Sequence, residues 1–255
     1  MFRFWLFLSC AVVLLAPAQA ANPLYDTLAR ITTPLVNVLS EQPTGPERAL
    51  SLAGHLEEAA GLPPELKGLA VELAVEYPDK LRLHGPVLGQ TITLARRGEQ
   101  IWVHPGTALK ALLESPEVEK RLPKPDKKFK LRPFKLPLSA KELFFLPVLF
   151  QVTAVPAEEA LGMTAMDLQL MPELEKSLKL KDAQARVWVG ENGQPARLAL
   201  TQPKGRVVVS FDRFAYTRSL PPETWIPTPE QQADVMLVPP ARYDQLVRAL
   251  LEFRR

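Results

Sequence analysis

Cysteine is almost missing from this chain. Of 255 residues one is cysteine, Cys10, and it lies in an N-terminal segment expected to be removed. Disulfide scaffolds, iron–sulfur sites and zinc–cysteine sites are thereby excluded from the mature protein. Glycine is scarce, at 12 residues, and no glycine-rich phosphate loop is present. Neither a Gly-x-Ser-x-Gly elbow nor a Ser-x-x-Lys motif occurs. The three histidines, His55, His84 and His104, are far apart and not at metal-ligand spacing, so they read as surface or strand-end residues. The acid pairs Glu57-Glu58 and Glu158-Glu159 occupy adjacent positions, which point apart on a helix or strand and do not form an acid/base pair. No catalytic residue, metal or cofactor is expected, and an enzyme is not the expected class. Long apolar runs are also lacking. The longest, Phe4–Leu15, has 12 residues, short of the ~20 that a spanning helix needs.

What is present fits a folded, exported protein. The chain is 47% hydrophobic and 23% charged, the balance of a globular domain and not of a disordered tail. Its 26 prolines favour many short segments over long helices. Arg3 followed by the apolar run and Ala18-Gln19-Ala20 reads as a signal peptide, residues 1–20, cleaved after Ala20. The apolar run continues past Cys10, which argues against lipidation there. A periplasmic or otherwise exported single domain over residues 21–255 is expected.

The formal net charge of +3 hides a contrast. Between Lys120 and Lys135 eight basic residues face one acid, Asp126, a local charge of +7 that leaves the rest of the mature chain near −5. Prolines punctuate the segment, so it reads as an extended loop. Lys124, Lys127, Lys128, Lys130, Arg132 and Lys135 form a candidate patch for an anionic headgroup, a membrane surface or an acidic protein partner. A solvated loop is the bland alternative. Nucleic acid is not expected, because no aromatics are interleaved with the patch.

Most of the mature chain alternates with a period of two. Pro23–Ser40 is the exception, with Leu24, Leu28, Ile31, Leu35, Val38 and Leu39 at helical spacing. Arg48–Glu58 is read as a strand, and strands follow around Leu69–Val75, Lys80–His84, Thr91–Ala95 and Gln100–His104. Thr107–Leu113 reads as a short helix. Met166–Met171, Gln184–Val189, Ala196–Thr201 and Arg206–Phe211 alternate again, the last running on to Phe214–Thr217. Asn192-Gly193 between two of these predicts a type I′ turn with positive φ at both positions. Pro240–Arg254 reads as an amphipathic helix within a helical extension over 230–255. Short turns make successive strands antiparallel neighbours. The expected fold is mainly β: eight to ten strands in a meandering, curved antiparallel sheet with a few helices across its mouth.

Four stretches resemble the LolA-like family of periplasmic lipoprotein carriers and lipid-binding envelope proteins. They are Tyr77-Pro78-Asp79-Lys80-Leu81-Arg82-Leu83; Arg97 through Trp102 to Pro105; Ala185–Val189 with the Asn192-Gly193-Gln194-Pro195 turn and Ala196-Arg197-Leu198; and Val207–Phe214 followed by Leu220-Pro221-Pro222-Glu223-Thr224-Trp225-Ile226-Pro227. Together they span about residues 68–229. The resemblance implies an incomplete β-barrel with an apolar concave face, closed by short lid helices, that binds acyl chains. In the family's carrier an arginine just before the strand-2 proline bonds to the lid, whereas Tyr77 occupies that place here.

The expected function is a monomeric binding protein for the acyl chains of a lipid or lipoprotein. The alternative is an envelope sensor or adaptor that binds a protein partner. Alternation nominates Leu81, Leu83, Ile92, Leu94, Ile101, Val103, Val187, Val189, Leu198, Leu200, Val207 and Val209 for the acyl-chain face, or the inverse set with Trp102 and Trp188 inside. Within the 107–162 insertion, Leu143, Phe144, Phe145, Leu146, Pro147, Val148, Leu149 and Phe150 form the candidate lid, or else a permanent piece of core.

Overall fold

The N-terminal apolar periodicity becomes helix α1, Pro23–Leu39, with Pro23 in its first turn and Asp26 near the positive end of its dipole. Its exit is fixed by buried Asn37. That side chain accepts from the Thr44 and Gly45 N–H groups at 3.1 Å each and donates to Glu47 Oε2 at 2.8 Å. The computed structural model describes residues 23–41, 43–61, 67–87, 90–114, 131, 146–173, 175, 182–203, 205–240 and 242–243. The expected signal peptide, the candidate basic residues Lys124 to Lys135, the candidate lid residues Leu143–Phe145, and positions 241 and 244–255 of the expected C-terminal helix lie outside the described residues.

Among the described residues eleven strands form one antiparallel sheet. They are β1 Ala49–Ala60, β2 Ala70–Glu76, β3 Lys80–Val87, β4 Gln90–Arg97, β5 Gln100–His104, β6 Phe150–Ala154, β7 Thr164–Leu170, β8 Gln184–Val189, β9 Pro195–Gln202, β10 Gly205–Thr217 and β11 Met236–Leu237. Helix α2, Gly106–Leu113, follows β5. The spatial order is β11-β5-β4-β3-β2-β1-β10-β9-β8-β7-β6, an incomplete barrel whose free edges are β11 and β6. Two meanders are therefore joined at the long β1–β10 pair. That pair carries register shifts at Ala53/Gly54 and Leu56/Glu58, and such bulges bend a strand and deepen its twist. Gly54 is required at the first of them, since a Cβ there would meet the Ser210 carbonyl oxygen at 2.0 Å.

Three local expectations change. Arg96 and Arg97 belong to β4, so the β4–β5 turn is only Gly98-Glu99, with Gly98 at φ 62°. The Asn192-Gly193 connection is not type I′, because only Gly193 takes positive φ (74°). Its backbone N–H donates to Gly190 O at 2.9 Å, while Asn192 Oδ1 accepts from Gln194 N–H at 3.0 Å. The asparagine's own hydrogen bond thus holds a β-turn followed by a left-handed glycine, the longer hairpin solution. Finally, residues 230–239 are not helical throughout. Gln231–Asp234 is a short 3-10 turn, and Met236–Leu237 pairs with β5.

Core lies on both sides of the sheet. On one face α1 packs Leu28 against Val152, Met166, Leu168, Val187 and Val189, and packs Val38 against Leu50 and Val75. At the far end of this face Leu109 and Leu113 of α2 cover Ile92, Ile101 and Val103. The opposite face holds Trp188 with Val155, Ala160, Ala165, Ala199 and Val208.

Candidate functional site

Strand register carries the helix-bearing face across the sheet in rows. Val103, Leu94, Leu83, Leu73, Leu52 and Phe214 are successive partners on six neighbouring strands. Leu198 pairs with Val209 and Val187, and Leu200 pairs with Val207 and Ala185. All twelve nominated residues fall on this one face, because a period of two keeps phase along each strand and register transfers it to the next. Trp102 and Trp188 point the other way. The inverse set is thus the opposite face of the same sheet.

Coverage of the face is uneven. Ile92, Ile101, Val103, Val187 and Val189 are buried under the helices. Leu81, Leu94, Leu198, Val207 and Val209 are half-buried, while Leu83 and Leu200 remain 40% and 48% exposed. These exposed leucines sit mid-strand in β3 and β9, on opposite sides of the central β2–β1–β10 strands. Between them Phe211 stacks edge-on against Phe214 at 5.3 Å and Phe214 against Tyr216 at 5.5 Å. The result is an apolar floor, roofed at both ends by α1 and α2, with an accessible middle among the described residues.

Polar groups on this face are few and are held at the margins. The Tyr216 hydroxyl donates to Ile31 O in α1 at 3.1 Å, and burial pushes its pKa up, so it stays a neutral donor. Tyr25 of α1 donates to Phe150 O at 3.0 Å. Arg96 continues the row of Ile101 and Leu81 and is buried. Burial lowers its pKa, against the opposing influence of Tyr243 and Asp79, and its Nε donates to Gly98 O at 3.0 Å. Sequence reading missed Arg96 as a residue of this face by assigning it to the turn. Its even offset from Leu94 was the available signal.

Of the candidate lid, Leu146–Leu149 forms a 3-10 turn, and Phe150 begins edge strand β6, paired with Leu170. Phe150 packs against the cluster under α1. The 107–162 segment is therefore not only a loop and lid, since it supplies α2 and an edge strand. The three histidines do not converge. Among the described residues no group of three His, Cys, Asp or Glu side chains is placed to hold a metal ion, and no helix is long and apolar enough to cross a membrane.

On the opposite face, short segments are pinned by side chains. The Trp188 indole N–H donates to Glu159 O at 3.0 Å, and Arg197 and Arg186 lie over its ring, 4.7 Å and 5.7 Å from the centroid. Arg186 pairs with Asp167 at 2.6 Å and with Glu159. Those hydrogen bonds, to Asp167 first, push its pKa further up. Arg197 Nε donates to Glu57 Oε2 at 2.6 Å, and the Ser210 hydroxyl bonds the other oxygen. Desolvation raises the Glu57 pKa, but the Ser210 and Arg197 bonds outweigh it and hold the carboxyl below its ordinary value. In the other half of the sheet, residues 218–235 cross this face as a strap. The Trp102 N–H donates to Trp225 O at 3.1 Å, Arg82 to Thr224 O at 3.1 Å, and Glu76 accepts from Leu220 N–H at 2.8 Å.

No protein-family model matches the chain, and no curated protein matches it. Among solved structures it is similar to the lipoprotein LppX of Mycobacterium tuberculosis, at 13% identity and TM-score 0.33, over 66% of this chain and 86% of that one. It is similar to LprF of Mycobacterium bovis at 8% identity and TM-score 0.36, over 78% and 97% of the two chains. A LolA superfamily protein of Nitrosomonas europaea aligns at 9% identity and TM-score 0.27, over 77% and 96%.

Proposed function

We propose that this protein is an exported, non-enzymatic carrier that holds acyl chains of a lipid or lipoprotein against the helix-bearing face of its open sheet. One observation supports the reading above others: a continuous apolar floor whose ends are roofed and whose middle, at Leu83 and Leu200, is accessible among the described residues. Burial of an acyl chain contributes roughly 0.8 kcal/mol per CH₂, on the order of 10 kcal/mol for a 16-carbon chain. Capture then needs no covalent chemistry, and release needs only a competing apolar cover. The Leu143–Phe150 segment is the proposed cover; its described part is the Leu146–Leu149 3-10 turn and Phe150, the first residue of β6. The basic residues Lys124, Lys127, Lys128, Lys130, Arg132 and Lys135 are the proposed contact for anionic headgroups or an envelope partner.

Lipid extraction and native mass spectrometry of the purified mature protein, followed by titration with a fluorescent 16-carbon fatty acid, test the reading. The expected result is saturable uptake that weakens about tenfold when Leu83 or Leu200 is changed to Asp, equivalent to ~1.4 kcal/mol. Absence of both co-purifying lipid and uptake would leave the face as core and favour the adaptor reading.

A further inference from the structure

A separate cavity opens at the β5 edge of the sheet, on the side away from α1. Its volume is about 430 Å³, within the ~300–1,000 Å³ of ordinary small-molecule sites. Trp102, Trp225, Ile226, Val235, Leu237 and Val238 line it, while Arg97, Glu99 and Gln100 of the β4–β5 hairpin stand at one end. The cavity exists because of how the strap ends. Val238 N–H bonds Ile101 O at 2.9 Å, and then Pro239, which has no N–H, stops β11 from running further along β5. The cavity lies between this end of β11 and Trp225-Ile226-Pro227 of the strap.

We propose that this cavity is a second binding site, for one medium-length acyl chain carrying a single anionic head. The walls select the chain. They are apolar and include two prolines, Pro227 and Pro239, that have no N–H for pairing with a peptide backbone. Leu237, 74% exposed, and exposed Ile226 are large apolar residues left facing solvent at the rim, where a bound chain would cover them. The mouth selects the head. Arg97 is exposed and its guanidinium makes no ion pair or hydrogen bond among the described residues, while Glu99 at the hairpin tip disfavours a second negative charge. Trp225 itself is 2% exposed, so its ring forms a fixed part of the wall. The site is separate from the exposed floor at Leu83 and Leu200, although Ile101 of the helix-bearing face also contributes to its lining.

Tryptophan fluorescence reads this site directly. Trp102 and Trp225 line the cavity, and Trp188 is seven strand positions away on β8. Titration of the purified, delipidated mature protein with 12-bromododecanoate is expected to quench Trp102 and Trp225 saturably. Arg97→Ala should raise the half-saturating concentration at least fivefold, and Leu237→Asp at least tenfold. Leu83→Asp, on the acyl-chain face, should leave it within twofold. These three positions are exposed, and unchanged thermal melts will confirm that each variant folds. The proposal falls if quenching does not saturate, if Arg97→Ala and Leu237→Asp leave it unaltered, or if Leu83→Asp abolishes it. Uptake of the fluorescent 16-carbon acid, weakened by Leu83→Asp and not by Leu237→Asp, reports separately on the acyl-chain face.

Discussion

The two faces of this sheet are built from alternate residues of the same strands, yet they are covered in different ways. The helix-bearing face is mostly apolar, and its covers among the described residues, α1 and α2, rest on it chiefly through apolar contacts, with hydrogen bonds from Tyr216 and Tyr25 at the margin of α1. The opposite face is closed by short segments, each fastened at a tryptophan whose N–H donates to a backbone carbonyl: Trp188 to Glu159, and Trp102 to Trp225. Directional bonds fix a cover in one place, because a displaced donor is left unpaired. Apolar contact depends on area and not on angle, so one apolar cover can be exchanged for another. On the proposed reading, the long acyl chain therefore lies on the helix-bearing face.

This contrast can be broken most directly at its fasteners. Trp188→Ala removes a fully buried ring, its hydrogen bond and two cation–π contacts, and is expected to cost ~3–5 kcal/mol in urea unfolding. A loss no larger than that of an exposed-site variant would show that the face is not held as described. Leu83→Asp and Leu200→Asp come next. They should change stability by less than ~1 kcal/mol while weakening fatty-acid uptake about tenfold. Equal losses of stability and uptake would make the floor plain core.

Smaller effects sharpen the comparison. Arg186→Met breaks the bonds to Asp167 and Glu159 beside Trp188. Both carboxylates are partly exposed, so the expected cost is ~1 kcal/mol, and uptake should be unchanged. The smallest effect concerns acid. The Glu57 pKa is lowered in the folded state, so its contribution to stability is present above the ordinary value of 4.5 and is lost as pH falls through the lowered folded value. The wild type should therefore be slightly more stable than Glu57→Gln at neutral pH, and the gap should close on acidification in thermal melts. A gap that widened toward low pH would reverse the assigned role of Ser210 and Arg197.

Alternation and helical spacing in the sequence were enough to determine α1, most of the strands and the membership of the apolar face. Leu81 and Leu83, or Val187 and Val189, share a face in any sheet they join, since side-chain direction follows from the backbone alone. Tertiary structure decided which face receives the helices, because nothing local distinguishes Leu83 from Trp102 as an inner residue. It also decided the edges. β6 continues directly from the apolar run read as a lid, and β11 is only two residues long, too short to show a period; each is a strand because it pairs with a neighbour. Trp225 and the strap belong to the same class. Their place depends on carbonyls meeting Trp102 and Arg82 from more than a hundred residues earlier in the chain, a contact that no local pattern encodes.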